Sequence, residues 1–331
     1  SRGLGDVYKR QAWGRALAAS SHSLARRLSL CARLWQKMRA MHHIPQHSGL
    51  APLAENYDGF ILDLWGVLHD GVVAFPEAIA CLEELQARNK RVAVLSNAPR
   101  RAVEVEQRMN ELGIRKGLYD SVLSSGEVAW RHLHDRSDPW HRALGRRCFH
   151  LGPDRDKGMR DGLDLDFVEA LEDADFVLNT GAHMSEDTVE TYGAELRAAA
   201  AAGLPMVCAN PDLEVIRGGK REICAGMLAK RYEELGGTVG YHGKPHADVY
   251  DACLASLAIG DKGRVLGVGD SLRTDIAGAS AAGIDGLLVL GGIHADALGL
   301  TLGEAVSPDR LAAFCQDLGE RPKAAIPVFR W

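Results

Sequence analysis

Residues 57–71 read YDGFILDLWGVLHDG. Phe60, Ile61 and Leu62 form a short unbroken apolar run, as a strand buried on both faces requires. Asp63 ends the run, and Gly66 and Gly71 mark a tightly turned loop behind it. Open α/β sheets gather their ligands outside the carboxyl ends of the strands, which makes Asp63 a candidate functional carboxylate. A lone strand-end aspartate more often caps the next turn, so the choice depends on what the rest of the chain places beside it.

Downstream, strand and helix signals alternate. FPEAIACLEELQARNK repeats apolar residues at helical spacing (Ala78, Leu82, Leu85), with Pro76 suited to a first turn. RVAVLSN is a second buried strand, ending on Ser96 and Asn97, and AVEVEQRMNELG is a helix closing on Gly113. Two consecutive βα units predict a right-handed, mostly parallel sheet. From about residue 115 the rhythm changes. A helix capped by Ser124 or Ser125 carries Glu127 near a capping-box position. CFHLG, DADFVLNTG and LPMVCANPD follow as strands, SEDTVETYGAELRAAAAAG as a Ser-capped helix and CAGMLAKRYEELGG as a helix ending at Gly236. The first sheet resumes with TVGYHGKPHADVYDACLASLAI, GRVLGVGDSLRTDIAGASAAGI and DGLLVLGG; SPDRLAAFCQDL reads as a helix and AAIPVFRW as an edge strand. The expected organisation is a core of residues 46–114 and 236–331 with an inserted α/β unit at 115–235.

Composition excludes several function classes. The 331 residues are 46% hydrophobic and 6% aromatic, ordinary for a protein with two cores, and no apolar run approaches the ~18 residues of a membrane span. Seven cysteines without a CxxC pair predict reduced thiols in a reducing, cytoplasmic setting. The net charge is -5, but residues 1–48 hold nine Lys or Arg and one acid, leaving 30 bases against 43 acids in the rest. A body that acidic argues against nucleic-acid binding. The Arg-rich opening could suit a transit-type presequence, but SRGLGDVYKRQ is expected to be a translated adapter, with a true start at Met38 or Met41 and residues 1–45 outside the core.

Asp63, Ser96, Lys244, Asp270 and Asp275 each follow a predicted strand, so one crevice at the carboxyl edge would collect them. Three carboxylates, a lysine and a hydroxyl suit Mg²⁺ and phosphoryl chemistry: Mg²⁺ takes hard oxygen ligands, and a carboxylate can attack phosphorus to form an aspartyl-phosphate. Lysine and metal would offset the charge on the transferring oxygens.

Four ordered motifs, DLWGVLHDG at 63–71, LSNAPR at 95–100, GKPHADVY at 243–250 and VGDSLRTDIAGASAAGID at 268–285, together with ANPD at 209–212, resemble the haloacid dehalogenase (HAD) superfamily, class IIA, the NagD-like branch. The resemblance covers about residues 55–300. It implies a Rossmann-like parallel-sheet core with an inserted C2-type cap that selects a small phosphorylated metabolite, and a homo-oligomer formed through that cap. It implies Asp63 as nucleophile, Lys244 as charge stabiliser, and Ser96, Asn97 and Gly66 as phosphate binders. The metal site it implies is Mg²⁺ on Asp63, the Trp65 backbone carbonyl and Asp270, with Asp275 in support.

One position departs from the family. Its first motif is DxD, and the second Asp, a general acid and base, is here Trp65. An indole cannot exchange that proton, and a positioned acid or base contributes about 10² to 10⁴ in rate. Three readings stay open: a substrate with a good leaving group, a substitute acid at His69 or Asp70, or a phosphate-binding domain without turnover. Asn210 and Asp212 read as structural corner residues of the insert, His183 and Met184 as residues facing a substrate, and His150, His242 and Cys208 as packing.

Overall fold

The computed structural model describes residues 43–301 and 303–331, and the adapter and start-site expectations lie outside them. A six-stranded sheet runs in the order β13-β12-β11-β1-β2-β3. Its strands are β1 (Gly59–Leu62), β2 (Arg91–Ser96), β3 (Ser121–Ser124), β11 (Val265–Gly269), β12 (Asp285–Val289) and β13 (Ala324–Ile326), all pairing in parallel. The expected C-terminal edge strand is β13. β1 lies between β2 and β11, with Leu62 level with Val94 and Val268, so Asp63 emerges at the centre of the carboxyl edge.

The apolar run of β1 is buried on both faces. Phe60 and Leu62 pack with Leu82, Leu85 and Met109, while Ile61 points the other way onto Val249, Tyr250 and Cys253. Burial of such a side chain contributes about 1.5–3 kcal/mol, so the strand that carries Asp63 is anchored from both sides.

A second parallel sheet, β10-β7-β6-β4-β5, is built from β4 (Arg147–Leu151), β5 (Asp166–Val168), β6 (Phe176–Asn179), β7 (Met206–Cys208) and β10 (Val239–Tyr241). Val177 faces Leu196 and Leu228; Phe176 and Leu178 face Leu133 and Met159. An antiparallel hairpin, β8 (Glu214–Arg217) and β9 (Lys220–Ile223), projects from this unit. Among the described residues no helix is long and apolar enough to cross a membrane.

Two strands fall across the expected boundaries. β3 pairs with β2 in the larger sheet, and β10, expected to resume that sheet, pairs with β7 in the smaller one. Both are short edge strands, whose sheet is decided by tertiary pairing that a local pattern does not carry. The hairpin, absent from the expected elements, turns at Gly218-Gly219, both at positive φ (52° and 79°), a tight-turn signal. The helix expected from Ser185 begins its α-helical part at Gly193, because Asp187 instead accepts hydrogen bonds from Met184 N and the Tyr192 hydroxyl. Ser124 does cap the helix Ser125–Asp135, but the Glu127 carboxylate turns away to Arg101 Nε at 2.7 Å.

Candidate active site

Asp63, Trp65, Gly66, Asn97, Lys244, Asp270 and Asp275 line one cavity of about 500 Å³ between the larger sheet and the β8–β9 hairpin. Asp63 leaves β1 with its N–H donated to Val268 O at 2.8 Å, which fixes its backbone to β11. Asp270 follows β11, and its Oδ2 accepts the Ile293 N–H at 2.8 Å. Gly66 (φ +73°) makes room for it: a Cβ there would lie 2.1 Å from Asp270 Oδ2. Asp275 lies in the first helical turn after β11, Leu272–Ile276, and turns back, accepting the Ser271 N–H on Oδ2 at 3.0 Å.

Lys244 ties the group together. Its Nζ donates to Asp63 Oδ1 at 2.5 Å and to Asp275 Oδ1 at 2.6 Å, and all three side chains are buried. Burial alone would depress the ammonium, but the Asp275 and Asp63 carboxylates outweigh it and hold Lys244 well above its ordinary range. One ammonium is too little for the carboxylates present. Ligand oxygens of Asp63, Asp270 and Asp275 lie within 4.8 Å of one another. Burial, opposed by Lys244 and reinforced by Asp275, pushes Asp63 up to about 7. Burial, then Asp63 and Asp275, pushes Asp270 well above the carboxylate range. A cluster that resists ionising all its members, with hard oxygen donors only, is the donor chemistry of a small divalent cation.

Several expected site residues take other positions. Ser96 is fully buried with its Oγ accepting the Ala98 N–H at 3.2 Å, and it does not line the cavity. Asn97 is on the wall, but its amide clamps the lysine: Oδ1 accepts Lys244 N at 2.8 Å, and Nδ2 donates to Lys244 O at 3.2 Å and Asp212 Oδ1 at 2.9 Å. The Gly66 N–H is taken by His69 O at 2.8 Å, so this glycine supplies space rather than a free donor. Lys244 follows β10, a strand of the smaller sheet.

The two candidate substitutes for the missing acid, His69 and Asp70, are placed differently. His69 does not line this cavity; its Nδ1 accepts the Gly71 N–H at 2.8 Å, and burial pushes it down to about 4. Asp70 is on the wall, with Oδ1 accepting the N–H groups of Val72 at 2.9 Å and Val73 at 2.8 Å in a turn. His183 and Met184 are exposed and do not line this cavity. His150, His242 and Cys208 are buried.

Asp212 is the residue that the sequence reading undervalued. The loop after β7 carries it into the cavity, and burial, opposed by Lys244 and the Asn97 amide, raises it above the ordinary carboxylate range. Trp65 forms the rear wall. Its indole lies edge-on to His69 (4.9 Å between centroids, 77°), packs on Gly71, and carries Arg217 of the hairpin 4.7 Å above its ring. Arg217 and Asp212 approach only because the inserted unit folds over the sheet edge, a relationship no linear motif displays.

Residues 60–166 match the family described as haloacid dehalogenase-like hydrolase, and residues 241–320 match a HAD-hydrolase-like family. A crystal structure of a haloacid dehalogenase-like hydrolase from Brucella suis 1330 is 34% identical, with 86% of this chain and 99% of that chain covered and a TM-score of 0.73. The chain belongs to the haloacid dehalogenase-like hydrolase family. The resemblance to its class IIA, NagD-like branch accordingly stands, with a Rossmann-like core and an inserted α/β unit. The D-glycerol 3-phosphate phosphatase of Mycobacterium tuberculosis is 30% identical over 247 residues, 73% of this chain; the chain spans 65% of the length of that relative. A crystal structure of a glycerol phosphate phosphatase from the same organism, in complex with calcium, is 27% identical, covers 72% of this chain and 68% of that one, and has a TM-score of 0.55.

Proposed function

We propose that this HAD-family chain is a Mg²⁺-dependent phosphoric-ester hydrolase of a small phosphorylated metabolite, working through an aspartyl-phosphate on Asp63. The observation that carries this reading is a strand-end carboxylate held against a buried lysine, with two further carboxylates within 4.8 Å, in a cavity of metabolite size. The names of the glycerol phosphate phosphatases among its relatives support it. Asp63, Asp270 and the Trp65 carbonyl would hold the metal, with Asp275 in support. Bound there, Mg²⁺ would offset the negative charge on the phosphoryl oxygens. Asp63 attacks phosphorus, the ester oxygen leaves with a proton, and water then cleaves the acyl phosphate. Lys244 stabilises the charge, with Asn97 fixing its backbone. Asp212, on the same wall and with its carboxyl held above the ordinary range by burial against the pull of Lys244 and Asn97, is the group best suited to supply the leaving-group proton that Trp65 cannot. The inserted unit, about residues 125–241, serves as the cap that selects the substrate.

A second reading, a domain that binds a phosphorylated ligand without turnover, is favoured by Trp65 alone. The deciding experiment is phosphate release from a panel of alkyl, aryl and acyl phosphates, with and without Mg²⁺, beside Asp63→Asn. Release that needs both the metal and Asp63 is the expected result. Absence of turnover on every compound, with Mg²⁺-dependent ligand binding intact, would replace the hydrolase with the binding domain.

A further inference from the structure

A second cavity of about 100 Å³ lies behind Trp65. At ~30 Å³ per water it has room for about three waters, the size of one carboxylate or phosphate group. Its wall gathers four guanidinium groups: Arg100 and Arg108 from the larger sheet's side, Arg155 from the segment after β4, and Arg217 from the hairpin. The acids on that wall are already engaged. Arg100 Nε donates to Asp156 Oδ1 at 2.7 Å, Arg217 Nε to both Glu222 oxygens at 3.1 Å, and Asp212 accepts from Asn97. Arg108 reaches Gly71 O at 3.3 Å and Glu111 at 3.1 Å. Arg155 makes no hydrogen bond or ion pair among the described residues. The residue is exposed; partial desolvation of its guanidinium lowers it, Asp156 beside it raises it, and Arg217 and Arg100 lower it further. Guanidinium groups converging from two units onto a space of this size suit a bidentate oxyanion.

Trp65, Asn97, Asp212 and Val215 line both cavities, so the arginine-lined space adjoins the one that holds Asp63. We propose that the arginine-lined cavity is a second anion subsite, taking a carboxylate or phosphate at the far end of the same substrate whose phosphoryl group meets Asp63. The inference rests on the hydrolase reading for its first anchor. It makes the substrate class a metabolite with two anionic ends, read by Arg155 in the inserted unit while Asp63 reads the phosphoryl group.

The test uses the full chain and three probes: 3-phosphoglycerate, with a distal carboxylate; glycerol 3-phosphate, with a neutral distal end; and p-nitrophenyl phosphate. KM for 3-phosphoglycerate is expected to lie about 10- to 100-fold below that for glycerol 3-phosphate, the range of one charge-assisted guanidinium contact. Arg155→Ala should erase that difference through KM with kcat unchanged and leave p-nitrophenyl phosphate unaffected; Arg155→Lys should recover only part of it. Among the described residues Arg155 makes no hydrogen bond or ion pair, and urea denaturation of each variant beside the natural chain separates loss of the subsite from loss of folding. Calorimetric binding of the same probes to Asp63→Asn separates the two claims. Arg155-dependent preference for 3-phosphoglycerate in that variant, with no turnover of any probe by the natural chain, would overturn the hydrolase and keep the subsite. Equal binding of both alkyl phosphates would overturn the subsite, and so would Arg155-dependent binding of inorganic sulfate that does not compete with 3-phosphoglycerate, which would mark a separate anion site.

Discussion

Lys244 Nζ bridges two carboxylates, Asp63 at 2.5 Å and Asp275 at 2.6 Å, and all three groups are shielded from water. Removing one partner of a buried ionic group leaves charge without compensation, at a cost of about 3–5 kcal/mol. Lys244→Met is therefore expected to lower unfolding free energy by that amount in EDTA. Mg²⁺ should restore part of the loss by supplying positive charge to the same carboxylates. Urea denaturation with and without metal measures both effects. An unchanged midpoint in EDTA would mean that the carboxylates are already neutral in the folded protein and that the lysine is not what balances them.

The carboxylates also predict proton release on metal binding. Burial first, and neighbouring carboxylates after it, push Asp63 up to about 7 and Asp270 well above the ordinary range. Ligands must be ionised to hold a cation. Below pH 7 the Asp63 proton has to leave when Mg²⁺ enters, and above pH 7 it has already gone. Calorimetry in two buffers of different ionisation enthalpy should show about one more proton released per Mg²⁺ at pH 6 than at pH 8. Asp63→Asn should remove that difference. Equal release at both pH values would show that Asp63 is not a protonated member of the metal site.

Asp212 supplies a prediction about leaving groups. If its protonated carboxyl serves the ester oxygen, Asp212→Asn lowers kcat for an alkyl phosphate by about 10² to 10⁴ and has little effect on p-nitrophenyl phosphate, whose leaving group needs no proton. The alkyl-phosphate rate of the natural chain should fall as pH rises through the raised range in which Asp212 ionises, and that limb should be absent with p-nitrophenyl phosphate. Equal losses on both substrates would instead make Asp212 a positioning residue that acts through Asn97, whose Nδ2 donates to it at 2.9 Å and whose amide holds the Lys244 backbone.

What could be read beforehand follows physical locality. β1 and β2 announce themselves because burial on both faces demands unbroken apolar runs, and the polar residue closing each run sits where a parallel sheet presents its ends. Asp63 and Asp270 were legible for that reason, and Lys244 for its place in a turn motif, even though the strand before it joined the other sheet. Ser96 and Asn97 were legible as positions but not as roles, since whether an amide faces a ligand or grips a neighbouring backbone depends on a loop 147 residues away in sequence. The hairpin, Arg217 and the approach of Asp212 could not be placed, because they reach the site only when one folded unit closes over another. Trp65 was visible as a missing acid, while its contacts with Gly71, His69 and Arg217 became visible only in three dimensions.

His242 gives a prediction independent of any activity. It is buried two residues before Lys244, with its Nε2 3.0 Å from His141 Nε2, and burial, reinforced by His141 and His132, pushes it down to about 3. His141 is lowered too, chiefly by burial, against the pull of Asp138, which lies 2.7 Å from its Nδ1; Asp138 is also 3.2 Å from His132 Nδ1. The unfolded chain takes up a proton on His242 below pH ~6.5, whereas the folded chain resists it. The native state binds fewer protons in that range, so the stability contributed by neutral His242 is fully present above pH 6.5 and is lost as pH falls toward 3. The slope is at most about 1.4 kcal/mol per pH unit. His242→Gln keeps a donor for His141 Nε2 but cannot titrate. The difference in unfolding free energy between the natural chain and this variant, measured by urea denaturation from pH 7.5 to 4.5, should therefore shift against the natural chain as pH falls, with groups common to both cancelling. Parallel curves would mean that the folded protein protonates His242 as readily as the unfolded one, and that the pair with His141 does not hold it neutral.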